Sequence, residues 1–437
     1  MTPPAWKHSR MKPIESLRWW IAALLAAATA LNYLDRQSLP VVITVLQKSI
    51  PLTDQQYSQL QGAFLLAYGV MYAGGGRIMD LLGTRRGYAL MITWWSAANF
   101  MHGLVGSFSG LALSRFLLGL GEGGGFPGSA KAVSEWFPAK ERSFAFGIFN
   151  TGSSVGAVIA PPLIAFIVLW LDWRWVFFLT GILGFVWAVG WWQLYEIPAK
   201  HRFITRQEQD YLERSLGVSA PPNDQAAGTQ IRWIELFQSR QVWGLLAAKF
   251  LSDSAWYFFI FWLPKYLGDV RHLNIKEIGY YAWIPYAFAG AGSFGGGWLS
   301  SFLIRRNMTI DRSRKISLGI SAALMPVSLL IATSPLSLAI AFFGMAMFGH
   351  QFWSTIIQTL PADIFPSRIV GSVAGLMGAV GCLGGVLFNL LIGALLAHGS
   401  SYALVFLISG LLHPASFFVI LALVGRIESR AASTRMG

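Results

Sequence analysis

An all-α membrane protein of twelve transmembrane helices, arranged as two pseudo-symmetric six-helix bundles, is the fold this sequence predicts, and three observations predict it. The 437 residues are 54% hydrophobic and only 12% charged, against about 25% charged in an ordinary soluble domain. Apolar runs close to the roughly 20 residues needed to cross a bilayer recur along the whole chain. The chain also repeats itself. "SEWFPAKERSFAFG" (134–147) aligns without a gap on "ADIFPSRIVGSVAG" (362–375), placing Glu135/Asp363, Phe137/Phe365, Pro138/Pro366 and Gly147/Gly375 each 228 positions apart.

The predicted spans are 17–40, 58–79, 87–107, 109–131, 144–170, 174–195, 243–267, 279–303, 316–334, 337–360, 370–397 and 400–425. Residues 1–18 are basic and polar, but the run after them is too long for a signal-peptide core and lacks a small-residue cleavage site, so no cleaved leader is expected. The second span leads into "GRIMDLLGTRR" (76–86), echoed more weakly by "GWLSSFLIRR" (297–306). The fourth holds "GLGEGGGFPG" (119–128), where missing side chains permit close helix approach and an adaptable backbone. No strand precedes it and no Gly-Lys-Ser/Thr follows, so it is not a phosphate loop. The polar stretch 196–241, with "APPNDQAAGTQ", separates the repeats, dividing the chain into a bundle 1–195, a cytoplasmic linker, and a bundle 242–437 with its tail. The single Cys382, in an apolar Gly-rich helix, excludes disulfides and reads as inert packing.

The net charge of +13 orients the protein. With both termini on one side, five Lys and Arg fall opposite them (Lys48, Arg174, Lys265, Arg271, Lys276) and three inside helices (Arg36, Arg115, Lys249). The rest, including Lys7, Arg10, Lys12, Arg18, Arg85, Arg86 and "RSRK" (312–315), lie on the terminal side. That asymmetry is the positive-inside signal and places both termini in the cytoplasm. No nucleic-acid partner is needed to explain it.

Six ionisable residues lie deep inside spans: Asp35, Arg36, Arg115, Glu122, Lys249 and Asp253. A charge at mid-bilayer costs at least about 2.5–3.5 kcal/mol on insertion scales, so each needs a partner or a purpose. Lys249 and Asp253 are i, i+4 neighbours and read as a structural pair, with Lys249 near enough to the cytoplasmic end to snorkel. Asp35 and Arg36 point about 100° apart on their helix, and Arg115 lies about 10.5 Å along the axis from Glu122, so neither couple can satisfy itself. Facing helices 1 and 4 would solve this: Arg36 meets Glu122, while Asp35 either approaches Arg115 or lies in a cavity. The four charges cancel. An entering carboxylate then needs a proton on Glu122 or Asp35, leaving Arg36 to hold the anion by a two-pronged hydrogen bond.

The same segments carry a family resemblance. "GRIMDLLGTRR", with Asp80, Gly83, Arg85 and Arg86, resembles the loop 2–3 signature of the major facilitator superfamily, although Leu81 and Thr84 replace basic residues and Ser301 stands at the Asp position of the second copy. "LNYLDR", "GEGGGFPGSAKAVSEWFPAKERS", "NTGSSVGAVIAPPL" and "FLSDSAWYFFIFWLPKYL" together resemble the anion:cation symporter family, most closely its bacterial hexuronate transporters. The resemblance implies a major facilitator fold of the inner membrane and coupling of an organic anion to protons through acids matching Asp35 and Glu122 and an arginine matching Arg36. A site at mid-bilayer between repeated halves fits that plan.

The repeat offset of 228 carries Glu122 onto His350, and the loop offset of 221 carries Asp35 and Arg36 onto Trp256 and Tyr257. The carboxy-terminal side of the site is therefore read as Trp256, Tyr257, His350, Gln351, Trp353, Ser354 and Asn389, with Tyr33, Tyr68, Ser153 and Ser154 joining Arg36 on the other. Aromatic rings and neutral hydrogen-bonding groups suit a polyhydroxylated acid. His350 reads as a hydrogen-bonding residue, with proton carriage the other option. Asp80, Arg85, Arg86 and "EWFPAKER" are expected to latch the halves in one state. The expected function is proton-coupled import of a sugar acid such as galacturonate or glucuronate, by a unit sufficient as a monomer and using no cofactor or metal. The alternatives are another organic anion (aldonate, aldarate or aromatic carboxylate) or anion exchange, and "AVIAPPL" in place of the Gly-Pro element of superfamily antiporters favours symport. A non-transporting sensor is the rival from another class, but it usually appends a soluble domain. An enzyme is not expected, because no nucleophile or metal constellation is visible.

Overall fold

A computed structural model of the chain describes residues 14–216, 236–365 and 367–427. Among these, α1 (Leu17–Leu46), α2 (Asp54–Leu82), α3 (Thr84–Leu104), α4 (Phe108–Glu122), α5 (Gly125–Trp136), α6 (Ala139–Trp170) and α7 (Arg174–Leu194) form the first half. After α8 (Arg206–Leu216), the second half comprises α9 (Arg240–Asp269), α10 (Ile275–Tyr281), α11 (Trp283–Arg305), α12 (Ile310–Leu324), α13 (Leu336–Ile357), α14 (Leu360–Ile364), α15 (Ser367–Ala397) and α16 (Tyr402–Val419). The basic residues Lys7, Arg10 and Lys12, the "APPNDQAAGTQ" stretch and the tail lie outside the described residues.

The spans depart from the predicted ones where proline and glycine act. α1 continues through Pro40 to Leu46 rather than stopping there, because Pro40 is buried among neighbouring helices that tolerate the lost backbone bond. The fourth span, predicted as one helix over 109–131, breaks between Glu122 and Gly125, inside the glycine run. The span expected at 279–303 begins at Ile275, where Asn274 and Glu277 form a capping box, and is interrupted at Ala282 just before Pro285. Pro326 converts the end of the ninth span into a 3₁₀ turn over Met325–Leu330, and Pro361 follows the break after α13. Among the described residues, six segments are long and apolar enough on their own to cross a membrane: Leu17–Leu46, Phe144–Trp170, Arg174–Leu194, Leu336–Ile364, Ile369–Ala397 and Tyr402–Val424. Others, such as α9 with Lys249, Asp253, Lys265 and Asp269, are more polar because much of their surface is covered by protein rather than lipid.

Part of the expected linker is ordered. Glu208 of α8 accepts hydrogen bonds from the backbone N–H of Leu17 (2.8 Å) and from Arg18 Nη1 (2.7 Å), capping the exposed donors at the start of α1. In the first half α1 packs on α6, α3 on α7 and α2 on α4. In the second, α9 packs on α15 and α16, and α11 on α13. The halves meet where α2 runs along α15 and where α6 meets α10 and α11. Small residues permit this: an added Cβ on Gly69 would sit 3.0 Å from Cys382 Cβ.

Contact between the halves is concentrated at the end of the molecule away from the 82–84 turn. There Lys265 Nζ pairs with Asp54 (2.8 Å) and also with Asp269. Tyr57 OH donates to the Phe261 carbonyl (2.5 Å), and Tyr286 OH to Gln37 Oε1 (3.0 Å). At the opposite end, Gly147, Gly371 and Gly375 face open space. The halves close one mouth and part at the other.

Candidate functional site

Between the halves lies a cavity of about 640 Å³, reaching the parted end past Gly147, Gln358, Pro361 and Ala374. Arg36 of α1 lines it. Its Nε and Nη2 donate to Glu122 Oε2 (3.1 and 3.0 Å), and Nη2 also donates to Asn32 Oδ1 (3.1 Å). The guanidinium lies 4.7 Å from the Tyr33 ring and 4.6 Å from the Tyr68 ring. Two aromatic faces, a carboxylate and an amide thus hold one cation in place. Glu122 ends α4 at the glycine break, and its Oε1 has no hydrogen-bond partner among the described residues.

Asp35 is turned away. It does not line the cavity, nor does it approach Arg115. Its Oδ1 accepts from Asn99 Nδ2 (2.8 Å) on α3, and Asn99 also donates to Thr180 (2.6 Å) on α7. Arg115 is likewise buried outside the cavity, donating to Gln61 Oε1 (2.5 Å) with its guanidinium 4.7 Å from the Phe64 ring. The 100° separation of Asp35 from Arg36 that forbids their pairing also puts only one of them inward. Neutral neighbours take the place of the expected charge partner.

On the other side, Trp256, Tyr257, His350, Gln351 and Ser354 line the cavity, as do Tyr33, Tyr68, Ser153 and Ser154 on the first. Trp256 stacks on His350 (4.7 Å between centroids), whose Nδ1 is 3.1 Å from His413 Nε2. Two residues expected there are elsewhere. Trp353 is fully buried beside His413, and Asn389 is bound between Trp262 Nε1 (2.8 Å) and the Gly385 carbonyl (2.8 Å), because helical periodicity turns both into the second half's own core.

The cavity also holds residues the sequence reading passed over, Asn32, Asn150, Thr355 and Gln358, together with the Lys249–Asp253 pair (2.9 Å) that it read as structural. A signal existed, since Asn32 lies one helical turn before Arg36 and Gln358 one turn after Ser354. Lys249 and Asp253 do pair with each other as expected, but they face the cavity rather than a membrane surface. Cys382, 3% exposed, also borders it, with Tyr257 OH 3.5 Å from its Sγ.

The expected latch does not join the halves here. Asp80 pairs with Lys131 (2.7 Å), Arg85 pairs with Glu196 (2.8 Å), and Arg86 is exposed. Glu135 accepts from Thr84 (2.7 Å) and Tyr195 (2.6 Å), and its repeat mate Asp363 accepts from Arg314 (2.8 Å). Each contact stays within its own half because the halves are parted at this end. Among the described residues no His/Cys/Asp/Glu grouping could hold a metal ion.

Comparison with known proteins agrees with this architecture. Residues 25–389 match the family model described as the Major Facilitator Superfamily. The chain is 35% identical over 388 residues (88% of this chain, 89% of the relative) to a hexuronate transporter of Escherichia coli (strain K12). It is 34% identical over 331 residues (74% and 94%) to a galacturonate transporter of Dickeya chrysanthemi. Its fold matches a bacterial homolog of the human lysosomal transporter Spinster in an inward-facing and occupied conformation (TM-score 0.68, 21% identity, 94% and 95% coverage). It also matches a D-xylose-proton symporter (TM-score 0.71, 14% identity, 94% and 99% coverage). The chain belongs to the major facilitator superfamily: it is a twelve-span membrane transporter and not an enzyme.

Proposed function

We propose that the protein imports a hexuronate, galacturonate or glucuronate, together with a proton, by rocking of a bundle 1–195 against a bundle 242–437 about the cavity between them. The observation that carries this reading is the Arg36–Glu122 pair in a cavity between the halves, with hydrogen-bonding groups on the opposite wall. Arg36 receives the substrate carboxylate, and a proton on Glu122 keeps the site neutral as that charge enters a low-dielectric interior. Gln351, Ser354, Gln358, Asn150 and Ser154 offer donors and acceptors for a hydroxylated ring, and Trp256 offers an apolar face. The named substrates of the relatives support the same class. Relatives named for L-galactonate (30% identical) and for galactarate/D-glucarate (28% identical) make an aldonate or aldarate the second reading.

Asp35, held by Asn99 outside the cavity, acts in this reading on the bundle's internal polarity, which leaves Glu122 as the proton carrier. Placing the basic residues Arg18, Arg85, Arg86, Arg305 and Arg306 in the cytoplasm orients the protein in the bacterial inner membrane with both termini inside. The parted mouth then faces inward. A single chain contains the entire cavity, which supports function as a monomer. The test is uptake of labelled galacturonate into proteoliposomes. Accumulation is expected when the interior is made alkaline relative to the bath and should disappear when the proton gradient is collapsed. Equal accumulation with no ion gradient overturns the reading.

A further inference from the structure

Lys249 and Asp253 stand on the cavity wall in the half opposite Arg36, and the proposed import mechanism gives them no task. They differ from the Arg36–Glu122 pair in two ways. Arg36 and Glu122 come from different helices, and the Glu122 side chain is fully shielded (0% exposed) behind the arginine. Lys249 and Asp253 lie one turn apart on α9, with both side chains partly open to the cavity (11% and 10%). A ligand reaching this wall meets the carboxylate as well as the ammonium. Asp253 is also pinned, because its Oδ2 lies where a Cβ on Gly381 of α15 would be and the α15 backbone closes off that direction. Tyr257 and Cys382, in contact with each other at 3.5 Å, line the cavity beside them.

We propose that the Lys249–Asp253 pair is a subsite for the end of the substrate remote from its carboxylate, one that accepts a neutral hydroxylated end and rejects a second carboxylate. This rests on the sugar-acid reading above and specifies it further. A hydroxyl can accept a hydrogen bond from Lys249 Nζ and donate one to Asp253, matching both members of the pair. A second carboxylate gains the ammonium but is pressed against the Asp253 carboxylate, and the site is left with one uncompensated negative charge. Because the pair is local to one helix, its zero net charge does not depend on whether the bundles are open or closed. The chain thereby discriminates uronic acids from sugar diacids in the half opposite Arg36, through the repulsive member of the pair.

The decisive experiment measures inhibition of labelled galacturonate uptake in proteoliposomes by unlabelled galacturonate and by the diacid galactarate, for the wild type and Asp253→Asn. The wild type should be inhibited poorly by the diacid. Asp253→Asn keeps the shape and leaves the ammonium unopposed, so the ratio of half-inhibiting concentrations, diacid to uronate, should fall about tenfold or more. Lys249→Met with Asp253→Asn removes the ammonium too and should abolish that gain. Should Asp253→Asn transport too slowly to measure, stabilisation of the purified variant against heat by each ligand gives the same ratio. An unchanged ratio in the folded variant, or a wild type inhibited equally by both acids, overturns the assignment while leaving uronate import intact. A wild type that carries no sugar acid brings down the import reading and this one with it.

Discussion

A single turn of α1 presents Asn32, Tyr33 and Arg36 to the cavity and sends Asp35 into the bundle behind it. Arg36→Lys keeps the charge but loses the planar fork and its fit between Tyr33 and Tyr68, so galacturonate uptake should fall at least about tenfold while the protein elutes normally on gel filtration. Glu122→Gln should lose accumulation driven by a pH gradient yet keep exchange of labelled for unlabelled substrate. A variant whose uptake still follows the gradient would remove Glu122 from the proton's path. Asn99→Ala removes the amide that donates to Asp35 inside the bundle and should destabilise the protein by about 1–3 kcal/mol, read as a lower melting temperature in detergent. The Arg36–Glu122 contact was legible in the sequence because each residue had an unsatisfiable neighbour and needed a distant partner. The fate of Asp35 was not, since its partners Asn99 and Thr180 are neutral and nothing in their spacing marks them.

At the scale of elements, the twelve spans were readable from apolar run length, while their interruptions came from backbone chemistry within them. Pro285, Pro326 and Pro361 each stand at a break that a hydropathy window averages away. The α4–α5 break falls within a glycine run instead, next to a tight contact between helices. A Cβ on Gly121 would lie 2.6 Å from Trp95 Cβ and 2.7 Å from Trp95 N, so α3 and α4 approach each other at a distance only glycine permits. Gly121→Ala forces one helix away and should lower stability by about 1–3 kcal/mol, measured as a drop in melting temperature, with uptake falling because Glu122 is the adjacent residue. The interior places of Trp353 and Asn389 were not legible. Repeat offsets carry a residue to the right helix and depth, but the face it presents depends on the small rotations by which the two halves have diverged.

For the whole molecule, the closed mouth is held by few polar contacts, and Lys265 is central among them. It is 2% exposed, bridges Asp54 of the opposite half, and pairs with Asp269 of its own helix. Lys265→Ala leaves two carboxylates facing each other without a cation, which favours separation at this mouth. Spin labels at the exposed positions Thr53 and Val270 should show a longer mean separation in this variant than in the parent, and an unchanged distance distribution would remove Lys265 from the closure. The sequence reading put Lys265 on the side away from the termini but gave no sign of its partner, because Asp54 opens a helix more than two hundred residues earlier.

Cys382 borders the cavity and touches Gly69 where α2 and α15 meet, and the chain has no other thiol. At 3% exposure the thiol is shielded while the halves stand as they do here, so a soluble thiol reagent reaches it only when the seam between α2 and α15 loosens. Labelling by a soluble maleimide should therefore be slow, and bound cargo that holds the seam shut should slow it further. The kinetics of that protection would time the opening and shutting of the native, unmutated carrier.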